Sequence, residues 1–109
     1  MPGGLLGDFE LAVLLAVARL GSDAYGASVR RDLSTRTRRD YSVGAVYTTL
    51  QRLEDKRLIR SWMSEATALR GGRAKRCFEL TAEGERSLTR AREVTAALWS
   101  GLEKGWKPA

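Results

Sequence analysis

The sequence predicts a mainly α fold with a small α+β element: three helices, two short strands and a closing helix, in that order. Three observations carry the prediction. Apolar residues recur at helical spacing in four separate stretches of the 109-residue chain. Two stretches of strand character flank a loop with paired glycines. Thirteen Lys/Arg against five Asp/Glu crowd into residues 24–78, although the formal net charge of the whole chain is only +6.

Residues 5–20 form the most hydrophobic segment. Phe9, Val13, Val17 and Leu20 repeat at helical spacing, while Leu11, Leu14 and Leu15 widen the apolar face. Such a helix is expected to be buried on more than one side. Asp8 is suited to cap it and Gly21 to stop it. The second helix is expected over residues 24–38 with Asp23 as its cap. Tyr25, Val29 and Leu33 make its buried stripe, and Arg30, Arg31, Arg36 and Arg38 lie opposite. Gly26 in the first turn costs about 1 kcal/mol relative to alanine, which fits either close helix packing or a frayed end.

Ser42 is placed to cap a third helix over residues 43–57. Val43, Val46, Tyr47, Leu50 and Leu53 form its apolar series, and the opposite face carries Ala45, Thr48, Thr49, Arg52 and Lys56. That face is short, polar and basic, which suits a helix lying in a major groove. Alanine permits close approach, the threonines offer hydroxyls and methyls to base edges, and Arg52 can reach guanine or phosphate. The alternative is an ordinary amphipathic surface helix. Tyr47, on the apolar stripe, reads as a core residue with its hydroxyl turned outward rather than as a base reader. Tyr25 is balanced between core packing and a phosphate hydrogen bond.

LIRSWMSE and AKRCFEL then read as a hairpin whose TALRGGR loop presents Arg70 and Arg73, followed by Lys75 and Arg76. Phe78 and Leu80 share the inward face of the second strand, Cys77 and Lys75 the other, and Trp62 is core or rim at the hairpin base. Three helices followed by a hairpin is the winged helix layout, a helix-turn-helix variant. Thr81 caps the last helix, with Glu83 and Glu85 favourably placed in its first turn. Leu88, Ala91, Thr95, Leu98 and Leu102 recur at spacings of three and four, a coiled-coil-like seam. Packing on a partner chain, with Phe9 of the first helix joining the contact, and packing back onto the first helix both account for this seam. Residues 1–80 and 81–109 are expected to form one structural unit.

The bulk numbers exclude much. At 43 % hydrophobic and 29 % charged, the chain has ordinary globular composition, and chains of this size often gain burial by pairing. The longest apolar run, residues 11–18, is far short of the roughly 20 residues a bilayer needs. The opening MPGGLLGDFE lacks a basic region, so no signal peptide is expected and a cytoplasmic location is. No histidine and a single cysteine remove His-based catalysis and multi-cysteine metal sites. Neither an enzyme nor a bound metal or cofactor is expected, and Gly71-Gly72, in a hairpin turn, is no P-loop. Cys77 reads as a structural thiol, since a redox sensor would need a lowered pKa. A compact basic centre is a footprint for a polyanion, against the plainer reading of a solvated basic surface.

Three motifs bring in a family. DAYGASVRRDL (residues 23–33), YSVGAVYTTLQRLEDKRLI (41–59) and GGRAKRCFELTAEG (71–84) stand in the order and spacing of the PadR transcriptional regulators, which the chain resembles over nearly its whole length. In that family pattern, Tyr25-Gly26 opens helix two, Ser42, Gly44 and Tyr47 fit the recognition helix, and Gly71, Gly72, Arg73 and Lys75 fit the wing. Cys77 departs from it, standing where an aromatic residue is usual. The resemblance is to the compact branch with a single C-terminal helix. It implies a bacterial, sequence-specific regulator, usually a repressor, binding an inverted-repeat DNA operator as a homodimer. It also implies an apolar pocket at the dimer centre for a small hydrophobic effector, which Trp99 could line, although dimer packing explains that residue equally. The rival is a winged helix protein–protein adaptor without specific DNA binding, against which Arg52 and Lys56 argue.

Overall fold

The computed structural model describes residues 6–65, 74–102 and 104–108. Its elements are α1 (Asp8–Leu20), a 3₁₀ turn (Gly21–Asp23), α2 (Gly26–Thr37), α3 (Val43–Asp55), β1 (Ile59–Met63), β2 (Arg76–Leu80) and α4 (Ala82–Trp99). This is the winged helix arrangement expected from the sequence.

Two helix entries differ from expectation. Gly7, not Asp8, is the N-cap of α1, and its N–H donates to Glu10 Oε1 at 3.2 Å. In α2 the cap is Tyr25, not Asp23. The reason lies in β2. The Ala24 carbonyl accepts the Phe78 N–H at 2.9 Å and Tyr25 bridges to Cys77, so the backbone at 24–25 must stay extended before winding begins. Ser28 then closes the turn, its Oγ accepting the Tyr25 N–H at 2.9 Å and donating to the Asp23 carbonyl.

The core joins Val13, Leu14 and Val17 of α1, Val29 and Leu33 of α2, and Val46, Leu50 and Leu53 of α3 to Leu58, Ile59 and Phe78 at the wing base. Each fully buried side chain of this size contributes about 1.5–3 kcal/mol. The strands are antiparallel with Ile59 opposite Leu80 and Met63 opposite Arg76. Phe78 points inward as expected. Cys77, expected on the outer face, is also buried at 7 % exposure, beside the bridging Tyr25 segment.

Thr81 caps α4 as expected, its Oγ1 accepting the Gly84 N–H at 3.0 Å. The same residue ties α4 to the end of α3. Its N–H donates to the Leu58 carbonyl at 3.1 Å and its hydroxyl to the Arg57 carbonyl at 2.7 Å. α4 ends at Trp99 because Ser100 is extended and Gly101 takes φ 89°, so Leu102 lies past the helix on which the seam placed it. The radius of gyration, 16.1 Å, exceeds the roughly 13 Å of a compact 100-residue domain; a projecting α4 accounts for the difference.

Gly84 sits where α4 crosses the Leu58 carbonyl: a β-carbon there would stand 2.1 Å from that oxygen. The clash is with backbone and cannot be relieved by a rotamer change. Gly84→Ala is expected to destabilise the protein by about 3 kcal/mol, measured by urea unfolding. A loss under about 0.5 kcal/mol, the range of an ordinary surface change, would mean that α4 does not rest on Leu58.

Candidate nucleic-acid interface

The side chains that α3 turns inward decide what it presents outward. Val46, Thr49, Leu50 and Leu53 are buried, so the inner arc is rotated from the one the apolar pattern suggested. Thr49, expected on the outer face, is only 5 % exposed; three residues after Val46 and four before Leu53, it falls between them on the inward arc. Val43 and Tyr47, expected inside, are 53 % and 44 % exposed. The exposed residues of α3 are therefore Ala45, Thr48 and Arg52, as expected, together with Val43, Gly44, Tyr47, Gln51 and Asp55.

Tyr47 is held by its ring rather than by burial. A β-carbon on Gly26 would lie 2.3 Å from Tyr47 Cζ, so the ring lies against the first turn of α2 and the glycine makes room for it. Close packing, not fraying, is the reason for Gly26. Ser42 is the N-cap of α3, its Oγ accepting the Ala45 N–H at 3.0 Å.

Beside this face lies a cationic cluster built on Tyr25. Lys75 Nζ sits 4.1 Å from the centre of the Tyr25 ring, and Arg31 donates to the Tyr25 hydroxyl at 3.5 Å. The Arg31 hydrogen bond first, and Lys75 next, hold that hydroxyl below the ordinary tyrosine value. Arg76 fastens the wing to α3 through Glu54 and Gln51 (3.3 Å), and also donates to Ser61 of β1 (3.2 Å). Sequence reasoning missed this anchor, because residues 22 apart in sequence give no periodic signal. It also counted Lys56 among free cations, whereas Lys56 Nζ lies 2.7 Å from Glu10 Oε2. Arg52 is exposed and makes no ion pair among the described residues. Arg70 and Arg73, expected at the wing tip, lie outside the described residues.

The seam residues separate along α4. Leu88 packs against the core and Ala91 is half-buried, whereas Thr95 is exposed and Leu98 is 71 % exposed. Phe9, expected in a dimer contact, stacks on Tyr41 within the chain at 5.3 Å. Leu11 and Leu15 of α1 and Leu88, Ala91, Thr95 and Trp99 of α4 line an apolar groove of about 570 Å³. Trp106 meets Trp99 edge-on at 5.1 Å. No helix among the described residues is long and apolar enough to cross a membrane, and no group of His, Cys, Asp or Glu among them is spaced to hold a metal ion.

Residues 14–90 match the profile of the Transcriptional regulator PadR-like family. No curated protein matches the sequence. Among solved structures, a PadR-like transcription factor from Bacteroides fragilis superposes with a TM-score of 0.71 at 22 % identity, covering 83 % of this chain and 82 % of its own. A Streptococcus transcriptional regulator gives 0.69 at 26 % identity, covering 87 % and 88 %. RosR of H. salinarum gives 0.69 at 23 % identity, covering 88 % and 79 %.

Two carboxylates take cations out of the surface field. The Arg19 guanidinium bonded to Asp32, with Arg36 at 3.3 Å, holds that carboxyl below the ordinary aspartate value against the effect of burial. The Lys56 ammonium does the same for Glu10. A carboxylate lowered in the folded state adds stability that is complete above its unfolded value and is lost as pH falls through the folded one. The unfolding midpoint is therefore expected to hold from neutral pH to about pH 5 and to drop below about pH 4. Asp32→Asn is expected to lower the neutral midpoint and flatten part of the acid slope in thermal melts; an acid limb as steep as wild type would show that Asp32 contributes nothing to it.

Proposed function

The chain belongs to the Transcriptional regulator PadR-like family, and we propose that it is a sequence-specific DNA-binding repressor that grips an inverted-repeat operator as a homodimer. The family is one of transcription regulators, and no catalytic role is proposed. The observation that carries the reading is the outer face of α3, where Ala45, Thr48 and Arg52 are exposed beside the Tyr25–Arg31–Lys75 cluster. Short side chains let the helix backbone approach base edges, Arg52 supplies bidentate readout, and the flanking cations meet phosphate. Ser42 belongs to the same surface through its exposed hydroxyl. Lys56 contributes only if Glu10 releases it. Thr49 takes no part. Arg70 and Arg73, outside the described residues, are proposed as further contacts on the sequence pattern alone.

Dimerisation is assigned to the outer half of α4. Leu98 and Thr95 have no cover within the described chain, and Leu88 and Ala91 continue the seam inward. Residues 1–80 thus carry DNA contacts and residues 81–109 pairing, in one structural unit. The protein is expected to prefer the promoter of its own operon over scrambled duplex in a fluorescence titration. Thr48→Ala or Arg52→Ala should each lower that preference by about 1–3 kcal/mol. Leu98→Asp should sediment as a monomer and bind at least tenfold more weakly, since a symmetric contact counts each change twice. No preference in the wild-type protein would leave the adaptor reading standing instead.

The groove between α1 and α4 supports a second element of the proposal, a small flat hydrophobic effector. Its walls are mainly apolar, with Thr89 and Arg92 among them, its volume suits a drug-sized molecule, and Trp99 is part of its lining. Binding of a flat hydrophobic dye is expected to quench tryptophan emission, less so in Trp99→Phe, and to weaken when operator DNA is present. Identical quenching in both proteins would return Trp99 to a packing role.

A further inference from the structure

Among the described residues, the non-glycine residues with positive φ are Arg38, at 57°, and Arg57, at 63°. Both flank α3. Arg38 is the C-cap of α2, with φ 57° and ψ 33°, its N–H bonded to the Ser34 carbonyl at 2.9 Å. That is the left-handed closing position at which glycine is favoured and a β-carbon is costly. A long charged side chain stands there instead.

The other arginines of this region are held within the chain. Arg36 pairs with Asp32 at 3.3 Å, and Arg30 reaches the Tyr41 carbonyl at 2.5 Å and Asp40 at 3.7 Å. Arg38 and the adjacent Arg39 are exposed and make no ion pair among the described residues. They lie just before Ser42, at the end of α3 that a helix-turn-helix inserts into the groove. The Tyr25–Lys75 cluster lies at the other end of α2, a helix of 12 residues and so about 18 Å long. That span exceeds the roughly 12 Å width of the major groove. Cations at the two ends of α2 can therefore rest on the two phosphate backbones that border one groove.

We propose that Arg38, assisted by Arg39, is a DNA-phosphate contact at the N-terminal end of α3, opposite the wing across the major groove. It rests on the DNA-binding reading above and adds a site that neither the sequence pattern nor the wing supplies. Arg57 lies at the far end of α3, where its carbonyl takes the Thr81 hydroxyl, and it serves as the internal control.

The test uses the full chain with two fluorescein-labelled duplexes, the promoter of its own operon and a scrambled sequence of equal length. Arg38→Gly removes the charge and relieves the backbone, so stability and binding should move in opposite directions. Its thermal midpoint is expected to rise by about 4 °C at fixed protein concentration. Its affinity for both duplexes should fall about three- to tenfold, and the slope of log affinity against log salt should flatten by about one. Arg38→Asn, neutral and tolerant of the same conformation, should lose the same binding, while Arg38→Lys should keep the slope. Arg57→Gly should gain stability with the slope unchanged. Wild-type affinity and slope in Arg38→Gly and Arg38→Asn would overturn the contact and leave the DNA-binding reading intact. So would an equal loss of slope in Arg38→Lys or Arg57→Gly. If the wild-type protein binds neither duplex, the DNA-binding reading itself fails.

Discussion

The placement of α4 hangs on the Leu58 carbonyl. It accepts the Thr81 amide at 3.1 Å, the neighbouring Arg57 carbonyl takes the Thr81 hydroxyl at 2.7 Å, and Gly84 passes so close that only a hydrogen fits. The end of α3 and the start of α4 are therefore one joint, although 25 residues lie between Asp55 and Thr81. The joint fixes the direction in which α4 leaves the domain. In a two-fold dimer built on α4, it would also set the distance between the two copies of α3. Operator half-sites lie about 34–36 Å apart, so an error of a few ångströms at this joint would place both helices out of register. Burial of Leu58 and Ile59 supplies the free energy that holds it.

Charge is distributed by the same economy of contacts. A sequence count treats every Lys and Arg of the basic centre as available to a polyanion. Side-chain geometry divides them. Glu10 takes Lys56, Asp32 takes Arg19 and Arg36, and Glu54 takes Arg76. Arg31 and Lys75 gather on Tyr25, while Arg52, Arg38 and Arg39 point to solvent. Among the described residues, Arg52, Arg31 and Lys75 lie at or beside the exposed side of α3 and Arg38 and Arg39 precede it, while Lys56, Arg36 and Arg76 are paired within the chain. Exposed pairs of this kind contribute little stability, about 0–1 kcal/mol each. Arg76 differs, because its three partners on α3 and β1 hold the wing at a fixed angle to the helix beside it.

How much of this was legible in the sequence depends on the range of the interaction. Helical periodicity, Ser42 and Thr81 as caps, the hairpin and the exposed Ala45, Thr48 and Arg52 are local features, and they were read correctly. The α2 entry was misplaced because a long-range bond, Phe78 N–H to the Ala24 carbonyl, holds the chain extended past Asp23. Thr49 was misassigned because the polar–apolar pattern ranks side chains by type. The inward arc is set instead by tertiary packing, which buries Thr49 and leaves Val43, in the first turn of α3, exposed. Leu102 follows the seam spacing, but Gly101, with φ 89°, ends the regular helix before it. The Gly26–Tyr47 contact was half visible: the glycine asked for a close neighbour without naming it.

What remains uncovered is apolar and continuous. Leu15 on α1 and Trp99 on α4 line one groove and are more than a third exposed, Leu98 beside Trp99 in the chain is more exposed still, and among the described residues the edge of Trp106 against Trp99 is a small cover. A chain this size has little further core with which to close such a surface. On the dimer reading, a second copy closes it, and the groove becomes the place where an apolar ligand would compete with or wedge apart the helices that set half-site spacing. The energies are compatible. Burial or exposure of one leucine is worth about 1.5–3 kcal/mol, and a tenfold change in DNA affinity needs about 1.4 kcal/mol of coupling. On that reading, the backbone joint between Thr81 and the end of α3 is the route by which a shift of α4 would reach α3.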